Sequence, residues 1–417
     1  MSKRILIIGG GVIGLCTAYY AALRGHSVTV VERGKAEHGG CSFGNAGMIV
    51  PSHFVPLAAP GMVKLGLKWM WNPRSPFYVK PRLNLDLLSW GLKFNLAATK
   101  SHVDKSSPLL RDMNLASRAC YEQLADELGN DFLLEKRGLL MLCKTQHVLE
   151  EESHMAQKAN QIGVPAEVLD AAATAKLDPD VTMDIAGSVY FPKDCHLSPS
   201  KFMQSIAGEL AKRSVEFKWE TQVTGWKPGN GKIDAVQTTQ GDLSADEYVL
   251  AGGSWSGTTL GDLKLKLPMQ AGKGYSLTVQ KPRQLPKICS IFTEARVAVT
   301  PMGDTLRFGG TMEIAGLNEN ISPRRVEGIV NSIPSYYPAF KPADFTGIEP
   351  WVGLRPCSPD GLPYVGRFGK YKNLTAATGH SMMGLSLGPI TGKLTSQILS
   401  DENPAIDIAM LKPDRYG

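Results

Sequence analysis

Ile5-Leu6-Ile7-Ile8-Gly9-Gly10-Gly11-Val12-Ile13-Gly14 is an apolar run that stops at a cluster of glycines. A second apolar run, Ser27 to Val31, follows and ends in Glu32. The pattern predicts a strand, a glycine turn, a helix, a second strand and an acid at its tip. Gly9 permits the tight turn, Gly11 lets a pyrophosphate approach the backbone, and Gly14 lets helix pack on strand. The helix N-terminus at Val12 and Ile13 offers free N–H groups and partial positive charge to phosphates. Glu32, 18 residues after Gly14, can accept a hydrogen bond from a ribose hydroxyl, and Arg33 stands beside it. The charge of Glu32 repels a 2′-phosphate, which disfavours NADP. The motif therefore points to a dinucleotide but leaves NAD and FAD both open.

Working outward, the 417 residues suit two or three compact domains, with 43% hydrophobic and 20% charged residues. The formal net charge is +6 without a block of consecutive Lys or Arg, so no nucleic-acid partner is expected. A weak attraction to an anionic membrane surface stays open. The first strand starts at Lys3, which leaves no room for a signal peptide, and no apolar run is long enough to cross a bilayer. A cytoplasmic chain is expected, with peripheral contact on the inner membrane face as the open variant. Seven scattered cysteines without a C-x-x-C pattern read as idle thiols, and the eight histidines show no metal-ligand spacing.

Helices are expected over Leu85 to Thr99, Leu109 to Leu128, Glu150 to Ile162 and Ser200 to Lys212. Strands are expected at Leu139 to Cys143, at Val215 to Trp219 continued by Val223 to Trp226, and at Tyr248 to Ala251. Tyr275 to Phe308 alternates strand-like runs with turns, as in an antiparallel sheet. Residues 374 to 399 read as a strand, a glycine loop and a last helix. The fold class is α/β. A Rossmann-like nucleotide domain is expected in discontinuous segments, 1–60, 188–256 and 346–417. A mostly antiparallel α+β substrate domain takes 61–187 as a cap segment and 257–345 as its sheet.

Several segments together resemble one family. Cys41-Ser42-Phe43-Gly44-Asn45-Ala46-Gly47 resembles the loop after the second strand in the FAD-dependent glycine/D-amino acid oxidase family, and more narrowly in bacterial D-amino acid dehydrogenases. Ala59-Pro60-Gly61, Lys68-Trp69, Lys273 to Thr278 and Val297 to Thr300 fit that subgroup. So do Gly353-Leu354-Arg355-Pro356, Pro359-Asp360-Gly361-Leu362-Pro363 and Gly379-His380-Ser381-Met382. The last glycine loop ends Gly388-Pro389-x-x-Gly392, as in relatives acting on other amino acids and cyclic imino acids, which leaves the substrate open.

The resemblance implies non-covalent FAD and hydride transfer from the substrate α-carbon to flavin N5. It implies a small amino acid substrate, with a quinone or another carrier as the acceptor open to it. An oxygen-using oxidase of glycine or an N-methyl amino acid, a nicotinamide-linked dehydrogenase and a non-catalytic dinucleotide-binding protein are the alternatives. Arg355 is the expected carboxylate clamp, since a guanidinium grips a carboxylate with two parallel charge-assisted bonds. Tyr275, His380 and His53 are further substrate-binding candidates, and Tyr190 and His196 weaker ones. Ser42, Asn45, Ala46 and Gly47 are expected at pyrophosphate and ring. Val223 is expected at adenine, Ala251, Gly252 and Trp255 in a second dinucleotide loop, and Gly379, Met382, Met383 and Gly384 near the flavin. No catalytic base is assigned, because the flavin carries the chemistry.

Two lookalikes fail on their residues. Gly253-Ser254-Trp255-Ser256-Gly257 places tryptophan where a hydrolase nucleophile must stand, and no histidine follows Ser381. Gly388 to Lys393 lacks the first glycine and the Ser or Thr of a P-loop.

Overall fold

The computed structural model describes every residue except His38, Met70 to Arg74 and Leu83, and the side chains of Leu67 and Trp69. The Ile5 to Ile8 run lies in the strand Arg4–Ile8, at the centre of a six-stranded sheet. Its neighbours are Ser27–Val31 on one side and Glu247–Leu250 on the other, both parallel. Glu216–Lys218 and Leu374–Thr378 extend the sheet in parallel, and Tyr364–Arg367 closes one edge antiparallel. Central strands covered on both faces read as unbroken apolar runs, which is why the first run was so legible.

The helix Val12–Leu23 covers one face, and the last helix, Gly384–Leu399, packs against it. Their approach explains the Gly-Pro-x-x-Gly loop in mechanical terms. A Cβ on Gly392 would stand 2.5 Å from the Cys16 carbonyl carbon, and one on Gly388 2.9 Å from Val12 Cγ2. The segment is a close helix crossing and not a phosphate loop.

Among the described residues the second sheet has nine strands and is mostly antiparallel. Its working part is the ladder Trp351–Cys357, Gln270–Val279, Thr305–Ile314 and Val297–Met302. Tyr275, Leu277, Phe292, Phe308 and the helix Pro323–Tyr336 build a core on one face of it. The chain changes sheets at places other than those expected. Gly187–Phe191 and Trp351–Cys357 belong to the larger sheet, so the boundary at 188 falls inside one of its strands and the boundary at 346 leaves another in the nucleotide segment. Glu216–Lys218 and Val223–Pro228 are not one strand continued. Glu220, at φ +52°, turns the chain out of the parallel sheet and into a separate three-stranded one.

The helix expected from Leu109 begins earlier and runs Lys100–Leu128 through Pro108. Thr99 caps its start, its hydroxyl accepting from the His102 N–H, and Gly129 ends it in the left-handed region. Among the described residues no helix is long and apolar enough to cross a membrane.

Candidate active site

The glycine turn is fixed by contacts that leave no space for side chains. Gly9 has φ +116°, and a Cβ there would lie 2.4 Å from the Ala251 carbonyl oxygen. A Cβ on Gly14 would lie 1.9 Å from the Gly9 carbonyl oxygen. Gly11 differs, because its added Cβ would meet nothing nearer than Ser42 Oγ at 3.5 Å. The protein itself does not demand a glycine at 11, so the space is kept for something else. Val12 opens the helix, its N–H donating to Ser42 Oγ at 3.0 Å. The Glu32 carboxylate accepts from the Gly10 N–H at 2.7 Å and the Gly34 N–H at 2.8 Å, which pins it at the strand tip.

A cavity of about 1010 Å³ opens over this turn. Gly9, Gly11, Val12, Ile13, Glu32, Arg33, Ser42, Asn45, Val223, Ala251, Gly252, Trp255 and Gly384 all line it, as do His380, Leu354 and Pro356. The Arg33 guanidinium lies 3.7 Å from the centre of the Trp255 ring, a cation–π contact worth about 1 kcal/mol at a partly exposed site. Residues distant in sequence thus converge on one void. A helix N-terminus, a glycine with spare space and an accepting carboxylate at the strand tip are the features that a dinucleotide requires.

Arg355 stands between the lining residues Leu354 and Pro356. Its guanidinium rests on Gly274, where a Cβ would come within 2.3 Å of Nη2. Nη1 donates to the Thr311 carbonyl at 2.5 Å. Among the described residues no carboxylate pairs with it. Burial lowers its affinity for the proton, and the groups that oppose this are the thiols of Cys41 and Cys357, which burial itself keeps protonated. A half-buried cation without a carboxylate partner among the described residues is a ready site for an acid.

The sequence pattern of the family described as FAD dependent oxidoreductase matches residues 4–398. The chain belongs to this family. It is 32% identical over 419 residues to the D-amino acid dehydrogenase of Granulibacter bethesdensis, covering 99% of this chain and 100% of that one. Its fold is similar to glycine oxidase from Geobacillus kaustophilus, with a TM-score of 0.79, 23% identity and 100% of both chains covered. It is similar also to L-proline dehydrogenase from P. horikoshii, with a TM-score of 0.75, 16% identity and 100% and 98% covered. The chain is an FAD-dependent oxidoreductase, and the cavity over Gly11 fits FAD.

Six positions expected at FAD do not line the cavity. Gly14 serves the packing described above. Gly47, at φ +80°, lies against the Leu197 carbonyl, where a Cβ would come within 2.3 Å. Ala46 lies next to it, and Asn45 Oδ1 accepts from the Gly47 N–H at 2.9 Å, so the loop is held by its own turn. Gly379 presses on the Tyr364 ring. Met382 is 44% exposed and Met383 packs against a core cluster, and neither lines the cavity.

The other substrate candidates separate from Arg355. Side chains alternate along a strand, and Gly274 faces the guanidinium, so Tyr275 faces the opposite side of the sheet. There its hydroxyl donates to Glu313 Oε2 at 2.9 Å, and Lys273 Nζ on the same face donates to Asn318 Oδ1 at 2.6 Å. Neither is placed to meet a carboxylate beside Arg355. His53 does not line the cavity. Its Nδ1 is 2.9 Å from Ser52 Oγ, which donates to the buried Asp194. Burial and the Arg296 charge push the His53 imidazole down to about 4. Tyr190 donates to the Arg137 carbonyl, and His196 is buried where its strand meets Met48, so both are structural.

His380 remains at the cavity. Its Nε2 is 2.9 Å from Thr391 Oγ1, while Nδ1 is buried without a protein partner among the described residues. Burial pushes it down to about 3, so it is a neutral ring at neutral pH.

Sequence reading missed two residues that shape the site. Arg307 donates to the carbonyls of Phe43 at 3.2 Å and Asn45 at 2.7 Å, and so ties the 43–45 loop to the larger sheet. An arginine inside an alternating apolar strand was the available signal. Thr311 sits where the Thr305–Ile314 strand carries an extra residue against Lys273 to Tyr275. This bulge puts Thr311 at φ +65°, costly for a β-branched residue, and turns its carbonyl onto Arg355. Its hydroxyl is buried without a partner among the described residues. Thr311→Gly should therefore leave the urea midpoint unchanged or raise it, where glycine in an ordinary strand costs about 1 kcal/mol. A loss larger than that would show that the backbone here carries no strain.

Proposed function

We propose that the chain oxidises a D-amino acid, or a related cyclic imino acid such as a D-configured proline derivative, and passes the electrons to a quinone or another carrier. The observation that carries this reading is the guanidinium of Arg355, without a carboxylate partner among the described residues, on the strand whose Leu354 and Pro356 line the FAD cavity. The name D-amino acid dehydrogenase, borne by a relative matched over the full chain, supports the substrate class and a dehydrogenase reaction.

Arg355 would take the substrate carboxylate in two parallel bonds and so fix where the α-carbon points. The amine must be neutral before the α C–H bond can break. With no carboxylate paired with Arg355 among the described residues, its positive charge favours the uncharged amine. When bound, FAD supplies the two-electron sink that accepts the hydride. The nitrogen lone pair then closes the imine, and water converts it to a 2-oxo acid and an amine or ammonia. A cyclic substrate would stop at the ring imine. His380 is neutral and bonded to Thr391, which suits a hydrogen-bonding group better than a proton carrier.

Anaerobic mixing of the yellow protein with D-, L-, cyclic and N-methyl amino acids tests the reading. Bleaching by a D- or cyclic D-substrate, reversed by a quinone analogue without stoichiometric peroxide, is expected. Peroxide at one per turnover would instead make it an oxidase, and no bleaching by any substrate would leave only a bound nucleotide.

A further inference from the structure

We infer that the cavity between the helices Met62–Trp69 and Leu85–Ala97 is a binding site for a single-chain aliphatic carboxylate, with its acid group on Arg82. The inference goes beyond the proposed reaction and does not depend on it.

The cavity holds about 680 Å³ and shares no lining residue with the FAD cavity. Its floor is the larger sheet at Met312 and Ile314, where the strand Phe77–Val79 joins in parallel. Trp90 closes it from the helix Leu85–Ala97. The Trp90 indole N–H is already spent on the Cys357 carbonyl at 2.9 Å, and its ring stacks on Phe94 at 5.1 Å. Apart from Trp90 and Arg82, every lining residue among those described is apolar. A protein interior seldom leaves a void larger than a water molecule, and a water needs two or more polar partners to stay. A chain without polar groups along its length matches these walls better than water does.

Arg82 says what stands at the head of that chain. Among the described residues its one hydrogen-bond partner is Gln270 Oε1, at 3.5 Å, and its Nε is buried without any. Nη1 lies over Gly316, where a Cβ would come within 2.1 Å, so the side chain has little room to turn. A guanidinium held still with free donors takes a carboxylate by charge-assisted bonds, which a hydrocarbon, an alcohol or an ester cannot replace. Lys64, Lys68 and Lys80, on or beside the elements that bound the cavity, are exposed, and Asp86 is the only carboxylate between residues 61 and 99. Charge of one sign favours an anion over a neutral ligand of the same shape.

Calorimetric titration of the FAD-loaded protein with decanoate, kept below its micelle concentration, tests this. One decanoate per chain is expected. Affinity should fall about fourfold for each methylene removed, so hexanoate should bind about a hundredfold more weakly or worse. Decanol should bind about tenfold more weakly than decanoate, or worse. Arg82→Met keeps an unbranched side chain without the charge, and should bring decanoate down to the level of decanol. Gly91 lines the cavity, and a Cβ there would meet nothing within 4 Å. Gly91→Leu should therefore fill the space and abolish uptake, while the thermal midpoint holds or rises. Flavin absorbance reports that each variant is folded. The inference is overturned if decanoate is not taken up, if decanol binds as well, or if either variant takes decanoate as the parent does. It is overturned also if Arg355→Ala abolishes the uptake, which would place the acid beside the FAD cavity instead.

Discussion

Arg355→Ala should raise the apparent KM for the substrate by about two orders of magnitude and leave FAD bound. Charge-assisted hydrogen bonds contribute about 1.5–3 kcal/mol each, and a bidentate guanidinium offers two. Part of that is recovered by water in the truncated site, so about 3 kcal/mol, or a hundredfold, is the expected loss. FAD should stay because the residues that line the cavity around the glycine turn do not include Arg355. Arg355→Lys keeps the charge but not the planar fork, so it should recover only part of the loss. The measurement is the rate of flavin bleaching against substrate concentration, with flavin content determined on the same sample. An unchanged half-saturation would remove Arg355 as the carboxylate clamp, and with it the main support for the proposed substrate class.

The nucleotide half of the fold was legible because its signals are local. Ile5 to Ile8 had to be a strand buried on both faces, and Gly9, Gly14 and Glu32 follow it within one supersecondary unit. The substrate half was less legible because its determinants are not local. Tyr275 and Arg355 lie on neighbouring strands, yet face opposite sides, and which side depends on pairing with Gly272 and Gly274. Thr311 owes its conformation to one extra residue in a ladder, which no composition or period reveals. Met382 and Met383 follow a real motif, but neither lines the void beyond the turn at His380, where the Met383 N–H donates to the His380 carbonyl. The helix expected from Leu109 starts earlier, and Lys100–Leu128 passes through Pro108 although a proline removes one helical hydrogen bond. The helix is held by tertiary contacts such as Tyr121 Oη donating to the Leu385 carbonyl at 2.7 Å.

Gly11 and Gly14 make opposite predictions, and the contrast tests the cofactor site without any substrate. Gly14→Val should fail in folding. Its first added atom already stands 1.9 Å from the Gly9 carbonyl oxygen, and the valine methyls enlarge the clash. Gly9 cannot retreat, because its own α-carbon is held against Ala251, at a φ of +116° that favours glycine. Helix and strand must therefore separate, at a cost of several kcal/mol, and the thermal midpoint should drop even without FAD. Gly11→Val meets only Ser42 Oγ, at 3.5 Å, and Gly11 has an ordinary extended backbone, φ −73° and ψ 177°. The apoprotein should then melt within a few degrees of the parent. Its valine, however, would stand in front of the helix N-terminus where the pyrophosphate must come. FAD affinity should fall about a hundredfold or more, giving a folded but nearly colourless protein. A yellow Gly11→Val protein with the parent's affinity would show that the phosphates do not approach the helix there, and the cavity would need another occupant.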